Sequence, residues 1–385
     1  MKIVADANIP FVKECFSSMG EVTVVGGREI TPDVVADADA LLVRSITPVD
    51  EKLLTGSKVR FVATATIGFD HVDIDFLGRN NIGFASAPGS NANSAAEYVI
   101  AALLDIGQRH ALDLEARSIG IIGVGNVGGR VAKKCAAMGM TDYLNDPPLQ
   151  RQIGDAMYLP LEQLFDCDFI TFHTPLTFEG PDKTYHLADE KFFKSLKQRC
   201  VFINASRGPV VDSRALKSDI RSGRLRAVML DVWENEPDID IELLKMVDLG
   251  TPHIAGYSLD GKIAGMIMIY KAACEYFAVK PKFDLKDFLP EPAVPKLKIN
   301  PNISNDQDAL LNAVQKIYRI DKDDVRLRRV LGKPAKKRGE YFDGLRKSYP
   351  VRREFENTRV ILKDTNSNLA KKLVGIGFKE VKSQK

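Results

Sequence analysis

Short apolar, β-branched runs and amphipathic stretches take turns along the first part of the chain. Lys2–Ala5, Glu21–Val25, Ala40–Val43, Phe61–Ala65 and Gly83–Ser86 read as strands, with Val12–Met19 and Asp50–Leu54 as helical segments between them. Strands alternating with helices predict a parallel sheet covered on both faces. The pattern then changes. Tyr98–Gly107 is rich in Ala, Leu and Ile and predicts one long, largely buried helix, preceded by Ser94-Ala-Ala-Glu97 in the form of a capping box. A helix at that place, just ahead of a fresh strand–turn–helix unit, is suited to joining two domains.

From Ser118 the alternation restarts. Ile119–Val124, Asp142–Asn145, Asp168–Phe172, Val201–Asn204 and Ala227–Asp231 read as strands. Val127–Met138, Leu161–Phe165, Glu190–Leu196 and Arg214–Ser222 read as the helices between them, and Ser258–Ala278 as a long helix after them. A proline-dense stretch from Lys280 to Pro295 is extended and separates the C-terminal part of the chain from the rest. Beyond it, Ile299, Asp306–Tyr318, Tyr341–Tyr349, Thr358–Leu362 and Asn368–Gly375 suggest a small α+β unit. No internal repeat and no low-complexity run is visible.

Composition narrows the class. The chain has 385 residues, 45% hydrophobic and 27% charged, which fits two or three globular domains and gives no sign of disorder. A net charge of +3 does not point to nucleic acid or a membrane surface as the main partner. The charge is uneven, however. From Pro301 to Lys385 there are 21 Lys and Arg against 11 Asp and Glu, an excess of 10 that leaves −7 for the remainder. The plain reading is a solvated surface that can also offer cations to an anionic substrate. Five scattered cysteines without a C-x-x-C suggest neither disulfides nor zinc, and the start has no signal-like apolar core. A reducing, cytoplasmic setting is the expectation.

The strongest local signal is Gly123-Val-Gly125-Asn-Val-Gly128. G-x-G-x-x-G alone is weak, but here it follows an apolar strand and opens an apolar helix, which is the setting the motif needs. Gly123 permits a tight turn, Gly125 a close approach to a pyrophosphate, and Gly128 close helix–strand packing. Asp146 stands 18 residues after Gly128, at the end of the next strand. A carboxylate there accepts from ribose hydroxyls and repels a 2′-phosphate, which predicts NAD over NADP; the plainer alternative is a cap on the Pro147-Pro148 turn.

Arg207, Glu236 and His253 each sit at or just after the end of a later strand, where open α/β sheets place their ligands. Together they suit oxidation of a 2-hydroxy acid. Arg clamps a carboxylate, His takes the hydroxyl proton, and the acid fixes the imidazole tautomer. Singly, each has a bland reading as a surface cation, a turn residue or a core histidine. His71, His110, His173 and His186 lack such a setting, though His173 stands at a strand end where it can line a cofactor cleft. Metal-ligand spacing is absent, so no metal is expected.

At these residues the chain resembles the D-isomer-specific 2-hydroxyacid dehydrogenases. Gly123–Gly128, Asn204–Asp212, Asp231–Pro237 and Pro252–Gly256 match that family's signatures in order and spacing. Leu42–Thr47, Thr64–Asp73, Phe172–Leu176, His253–Tyr257 and the unit after residue 286 are similar to one branch of it. The resemblance implies two Rossmann-like, doubly wound parallel-sheet domains plus a small C-terminal α+β dimerisation domain. It places the substrate-binding domain at 1–93 and 257–285, the NAD-binding domain at 94–256 and the dimerisation domain at 286–385. It also implies Arg207, Glu236 and His253 as the catalytic triad. NAD contacts then fall on Asn126, Val127, Asp146, Thr174, Ala205, Ser206, Arg207, Asp231 and Gly256, beside the glycine loop. Substrate contacts fall on Ser45, Thr66 and Tyr257. The implied reaction oxidises 4-phospho-D-erythronate on the way to pyridoxal 5′-phosphate, in a homodimer.

Four positions depart from the branch pattern. Ser90 and Ser206 stand where Cys is common, and Ile67 and Phe69 are bulky beside Thr66. Since the 2-hydroxy acid end consumes Arg207 and His253, a phosphate at the other end needs donors of its own. Arg44, Ser45, Arg346 and Lys347 are the candidates. Alternatives are another member of the class, such as a phosphoglycerate dehydrogenase, or an NAD-sensing binding protein of the corepressor type. The folded reading of the C-terminal part speaks against the second. A formate dehydrogenase is disfavoured because the acid is Glu236 and not Gln.

Overall fold

The computed structural model describes residues 1–300, 305–363 and 367–383. Five parallel strands, β1 (Lys2–Asp6), β2 (Glu21–Val25), β3 (Ala40–Val43), β4 (Phe61–Thr64) and β5 (Gly83–Ala85), form a sheet in the order β2-β1-β3-β4-β5. Six more, β6 (Ser118–Ile122), β7 (Thr141–Asn145), β8 (Phe169–Phe172), β9 (Val201–Asn204), β10 (Ala227–Leu230) and β11 (Leu249–Gly250), form a second, ordered β11-β10-β9-β8-β6-β7. Both are doubly wound, as the alternation predicts, and each reverses direction beside its first strand. A third parallel sheet joins β12 (Lys296–Ile299), β13 (Arg359–Leu362) and β14 (Glu380–Ser383) in that order.

The chain divides into two compact units. One comprises Met1–Asn91 with Ser258–Glu291; the other comprises Ala92–Tyr257 with Pro292–Lys385. In the first, alternate residues of each strand go to opposite faces, as a pleated sheet requires. Ile3, Ala5 and Leu42 pack with Ile263, Met266 and Tyr270 of the Leu259–Tyr276 helix, while Val4, Leu41 and Val43 pack with Phe76 and Leu77.

In the second unit, Ile119, Ile121, Phe169 and Ile203 face the Ala92–Arg109 helix, and Ile170, Phe172, Phe202 and Val228 face the other way. C-terminal residues enter both clusters: Leu310, Leu311, Val314 and Leu373 the first, Leu327, Val330 and Phe342 the second. The residues from Pro292 are thus grouped with 92–257. The cause lies in the Ala92–Arg109 helix, which is apolar nearly all round. The sheet covers one side, and the helices Asp306–Ile317 and Ile320–Arg328 cover another.

Two local readings change. The capping box does not form, because the helix begins at Ala92 and Ser94 and Glu97 lie inside it, both fully buried. The Ser94 hydroxyl donates to Glu354 and Glu97 accepts the Phe355 N–H, so partners far along the chain displace the local cap. The Ile320–Arg328 helix, too polar to show a periodicity, docks beside β11 through Asp324, which accepts the Gly250 N–H at 2.8 Å.

Candidate active site

The crevice at the carboxyl ends of β6 and β8 is the switch point of the second sheet, and the glycine loop lies there. Gly123 has φ 85°, and a Cβ on it would come within 2.9 Å of the His173 carbonyl and the Thr174 nitrogen. A Cβ on Gly128 would meet the Gly123 carbonyl at 1.9 Å, which closes the turn, whereas beside Gly125 there is open space. Gly125 and Asn126 are exposed, and Val127 leads into the Gly128–Ala137 helix. The Gly129 and Arg130 N–H groups bond back to the Gly125 and Val127 carbonyls, so what the loop offers an anion is the exposed Gly125–Asn126 backbone at the positive end of the helix.

Asp146 borders this loop. One carboxylate oxygen accepts the Val124 N–H at 2.8 Å, and the other caps the Pro147–Ile153 helix through Leu149 N at 3.0 Å. The plainer sequence reading, a cap on the Pro147-Pro148 turn, is thus seen, and the same side chain stands beside the glycine loop. Across the crevice, Thr174 Oγ1 and His173 Nδ1 are buried without a hydrogen-bond partner. Burial pushes the His173 imidazole down to about 3, so it stays neutral. Glycine cradle, partly exposed carboxylate and orphaned polar atoms together fit a dinucleotide.

His253 and Glu236 are in direct contact, with Nδ1 2.8 Å from Oε2. Glu236 Oε1 accepts the Trp233 N–H at 2.9 Å. Burial works to raise the Glu236 carboxyl, but the His253 ring, the Arg346 guanidinium and the Trp233 N–H outweigh it and hold it below the usual range. It is a carboxylate, so Nδ1 carries the proton of that hydrogen bond and Nε2 is left as the base. His253 has φ 55°. Asp231 holds that left-handed turn: its carbonyl accepts the His253 N–H, and its carboxylate accepts from Thr251 Oγ1, Ile254 N and Ala255 N. Asp231, an expected cofactor contact, thereby organises the turn leading to Gly256.

Arg207 follows β9 and is half-buried, with Nη1 donating to the Ser206 carbonyl. Asn204 ties its loop together, accepting from the Ser206 N–H and hydroxyl and donating to the Arg207 carbonyl. Ala205 lies half-buried between them. A Cβ on Gly208 would stand 1.9 Å from the Trp233 carbonyl, so glycine is what lets the Arg207 loop press against the Trp233–Glu236 segment. Sequence reasoning passes over that glycine, although Arg207-Gly-Pro marks a forced turn.

Tyr257 closes the same stretch. Its ring meets Tyr349 edge-on at 5.8 Å, and the Arg346 guanidinium lies over it at 5.8 Å with Nε buried and unpartnered. Arg346 belongs to the Arg338–Lys347 helix, and Lys347 beside it is exposed. Ser45 and Thr66 are in the other unit, after β3 and β4. Ser45 is exposed, and Thr66 Oγ1 donates to the Gly68 carbonyl at 2.8 Å. Arg44 reaches the Asn8 carbonyl, across that sheet's own switch point. The bulk of Phe69 rests on Phe84. The remaining histidines have structural partners: His71 with Thr64, His110 with Asp248, His186 with Glu234. Among the described residues no cluster of His, Cys, Asp or Glu is arranged to hold a metal, and no helix is long and apolar enough to cross a membrane.

Residues 98–255 match the NAD-binding domain of the D-isomer-specific 2-hydroxyacid dehydrogenases, and residues 288–377 match a domain of unknown function. The erythronate-4-phosphate dehydrogenase of Escherichia coli O6:K15:H31 (strain 536 / UPEC) is 44% identical over 382 residues, 99% of either chain. That of Escherichia coli O81 (strain ED1a) is equally similar. Among solved structures, the NAD-bound 3-phosphoglycerate dehydrogenase of Entamoeba histolytica superposes with a TM-score of 0.62 at 26% identity, covering 74% of this chain and 98% of that one. The Aquifex aeolicus D-lactate dehydrogenase, solved with NAD and lactic acid, gives 0.60 at 22% identity, covering 72% and 96%, a likeness of fold.

Proposed function

The chain belongs to the erythronate-4-phosphate dehydrogenases within the D-isomer-specific 2-hydroxyacid dehydrogenase family, and on that premise we propose that it oxidises 4-phospho-D-erythronate to 2-oxo-3-hydroxy-4-phosphobutanoate. The observation that carries the reading is the His253–Glu236 hydrogen bond beside the Arg207 loop. NAD, when bound, supplies the acceptor for the hydride that leaves C2. Arg207 holds the substrate carboxylate through its fork of donors. His253 Nε2 takes the proton of the 2-hydroxyl as the C–H bond breaks, and Glu236 stabilises the imidazolium so formed. In the reverse direction the same imidazolium is the proton donor.

Gly123, Gly125, Asn126, Val127 and Gly128 would hold the pyrophosphate, Asp146 the adenosine ribose, and Thr174, Ala205, Ser206 and Gly256 would line the rest of the cofactor path. Ser45, Thr66 and Tyr257 would contact substrate, with Arg346 and Arg44 as donors to its phosphate. In domain terms, 1–93 with 257–285 would bind substrate, 94–256 NAD, and 286–385 a second copy of the chain in a cytoplasmic homodimer serving pyridoxal 5′-phosphate synthesis. Light scattering tests the dimer.

The reaction is tested by comparing D-erythronate, its 4-phosphate and 3-phosphoglycerate while following NADH. Charge-assisted contacts contribute roughly 1.5–3 kcal/mol each. The 4-phosphate should therefore be preferred over free erythronate by well over tenfold in kcat/KM. Equal efficiency on the two would remove the assignment, and a better rate on 3-phosphoglycerate would move it to the neighbouring member of the class.

A further inference from the structure

The turn from Thr251 to Tyr257 is gripped from two directions. Asp231 takes N–H groups of the turn on one side. From the C-terminal segment, Arg352 Nη2 donates to the Ala255 carbonyl at 3.3 Å and also to the Ser94 carbonyl in the Ala92–Arg109 helix. The guanidinium lies 4.1 Å over the Tyr318 ring and is 4% exposed. Two residues on, Glu354 accepts from Ser94 Oγ and Asn93 Nδ2, which fastens the same strap to the same helix.

Stability alone does not account for an arginine here. Its Nε and Nη1 are buried without hydrogen-bond partners. Glu97 and Glu354 offset its charge, so losing the arginine leaves buried carboxylates uncompensated and costs stability as well. What this cation does, and an apolar residue would not, is tie the Ala255 carbonyl of a strained turn to the Ser94 carbonyl of the Ala92–Arg109 helix. A left-handed non-glycine residue such as His253 persists only where its surroundings over-determine it.

We propose that Arg352 is a positioning residue for the reaction: by holding the Ala255 carbonyl it fixes the backbone of the turn and so keeps the His253 imidazole on Glu236, without touching substrate or cofactor. The inference rests on the reading of His253 and Glu236 as the proton-transfer pair.

The test uses the full chain with Arg352→Met, Arg352→Lys and Tyr318→Leu, the last removing the ring under the guanidinium together with its packing on Tyr98. Trp233 is the single tryptophan, and its Nε1 donates to the Thr251 carbonyl at 2.9 Å, so its indole N–H resonance reports the turn. The Nδ1–H resonance of His253, assigned by its loss in His253→Gln, reports the contact with Glu236. In Arg352→Met, kcat should fall about tenfold or more, since small misplacements of a reacting group are costly. KM for NAD should change much less than kcat, since Arg352 makes no cofactor contact of its own and Gly256 is one of many residues along that path. Both resonances should shift or broaden, with Arg352→Lys restoring part of the loss and Tyr318→Leu giving a smaller one. A Met variant that folds, binds NAD, turns over normally and keeps both resonances would overturn the proposal. Failure of all three variants to fold would overturn it equally, by assigning Arg352 to structure. If the native chain does not oxidise the hydroxy acid, the functional reading fails by itself, and the two resonances still decide what Arg352 holds.

Discussion

His253 Nδ1 lies 2.8 Å from Glu236 Oε2, and the other oxygen of that carboxylate accepts the Trp233 N–H at 2.9 Å. The acid is therefore pinned at both ends and the imidazole is aimed by it. His253→Ala should lower kcat by about 10²–10⁴, the usual contribution of a positioned acid–base group, with NAD affinity little changed. Near-native turnover would take His253 out of the chemistry.

The sign of the pH effect comes from the charge on Glu236. Burial opposes that charge, but the His253 ring, Arg346 and the Trp233 N–H keep the carboxyl ionised below its ordinary range. An anion beside the ring favours imidazolium. In Glu236→Gln that help is gone, so the acidic limb of kcat/KM for hydroxy-acid oxidation should move to lower pH while its height falls. A limb that stays or moves upward would show that the pair is not coupled. The same carboxylate contributes stability above the unfolded carboxyl pKa and loses it as pH falls through its lowered folded value.

Asp146 combines a cap with a charge, and two variants separate them. Asp146→Asn keeps one acceptor, which can cap Leu149 N, but turns an amide NH2 on the Val124 N–H and drops the charge that repels a 2′-phosphate. Asp146→Ala loses both, and should add a loss of about 0.5–2 kcal/mol in stability from the missing cap. Preference for NAD over NADP should shrink in both variants and melting temperature chiefly in the second. If kinetics with the two cofactors leave the preference of both variants untouched, Asp146 is a turn residue only.

The strands were legible because a sheet buried on both faces demands continuous apolar runs, and Ala40–Val43 and Val201–Asn204 occur as read. The glycine loop was legible because its spacing and its strand–helix setting coincide. What escaped is non-local. Ser94 and Glu97 look like a cap until Glu354, some 260 residues away, takes the serine hydroxyl. Leu249–Gly250 is too short a strand to have a period, and the buried face of Ile320–Arg328 puts Asp323 and Asp324 between Ile320 and Leu327, held by ion pairs such as Arg328–Asp324. Arg352 is one basic residue among many in a basic segment; only the fold separates it from the solvated ones.

Gly208 should resist any side chain. A Cβ there meets the Trp233 carbonyl carbon and oxygen at 2.1 and 1.9 Å, both backbone atoms that cannot swing aside. Gly208→Ala should cost about 1–3 kcal/mol as overpacking. It should also push the Arg207 loop off the Trp233–Glu236 segment, so kcat/KM falls beyond what the unfolded fraction explains. A variant with native melting temperature and native KM for substrate would refute the close approach.

The proline-dense stretch from Lys280 to Pro295 invites a cut near Pro290 that would leave both doubly wound sheets in one piece of chain. The shared cores argue otherwise. Leu310, Leu311, Val314, Phe342, Phe355 and Leu373 are each at most 4% exposed within clusters that include the second sheet and its helices. At about 1.5–3 kcal/mol for each such side chain, the loss from six is about 9–18 kcal/mol, as large as a typical net stability of about 5–15 kcal/mol. Calorimetry of the truncated chain should show the transition of 92–257 lost. A surviving cooperative transition from that unit would mean it folds without the C-terminal cover.

The phosphate donors make the riskiest prediction. Arg346 lies over the Tyr257 ring with its Nε buried and unpartnered, and its charge reaches Glu236. A donor stacked on an aromatic face is held in place beforehand, so little side-chain entropy is lost when it meets an anion. Arg346→Ala should therefore raise KM for 4-phospho-D-erythronate by about tenfold or more, the worth of one charge-assisted contact, and change KM for unphosphorylated D-erythronate far less. Arg346→Lys keeps the charge without the planar fork and should fall between. Arg44→Ala, in the other unit, is measured on the same two compounds. Because Arg346 also bears on Glu236, the Ala variant carries an internal check: the acidic limb of its pH profile should move, whichever substrate is used. If Arg346→Ala weakens both compounds equally, its role is electrostatic support of the acid and the phosphate is held elsewhere. If neither arginine alters the ratio between the compounds, both donor assignments fall while the substrate stands.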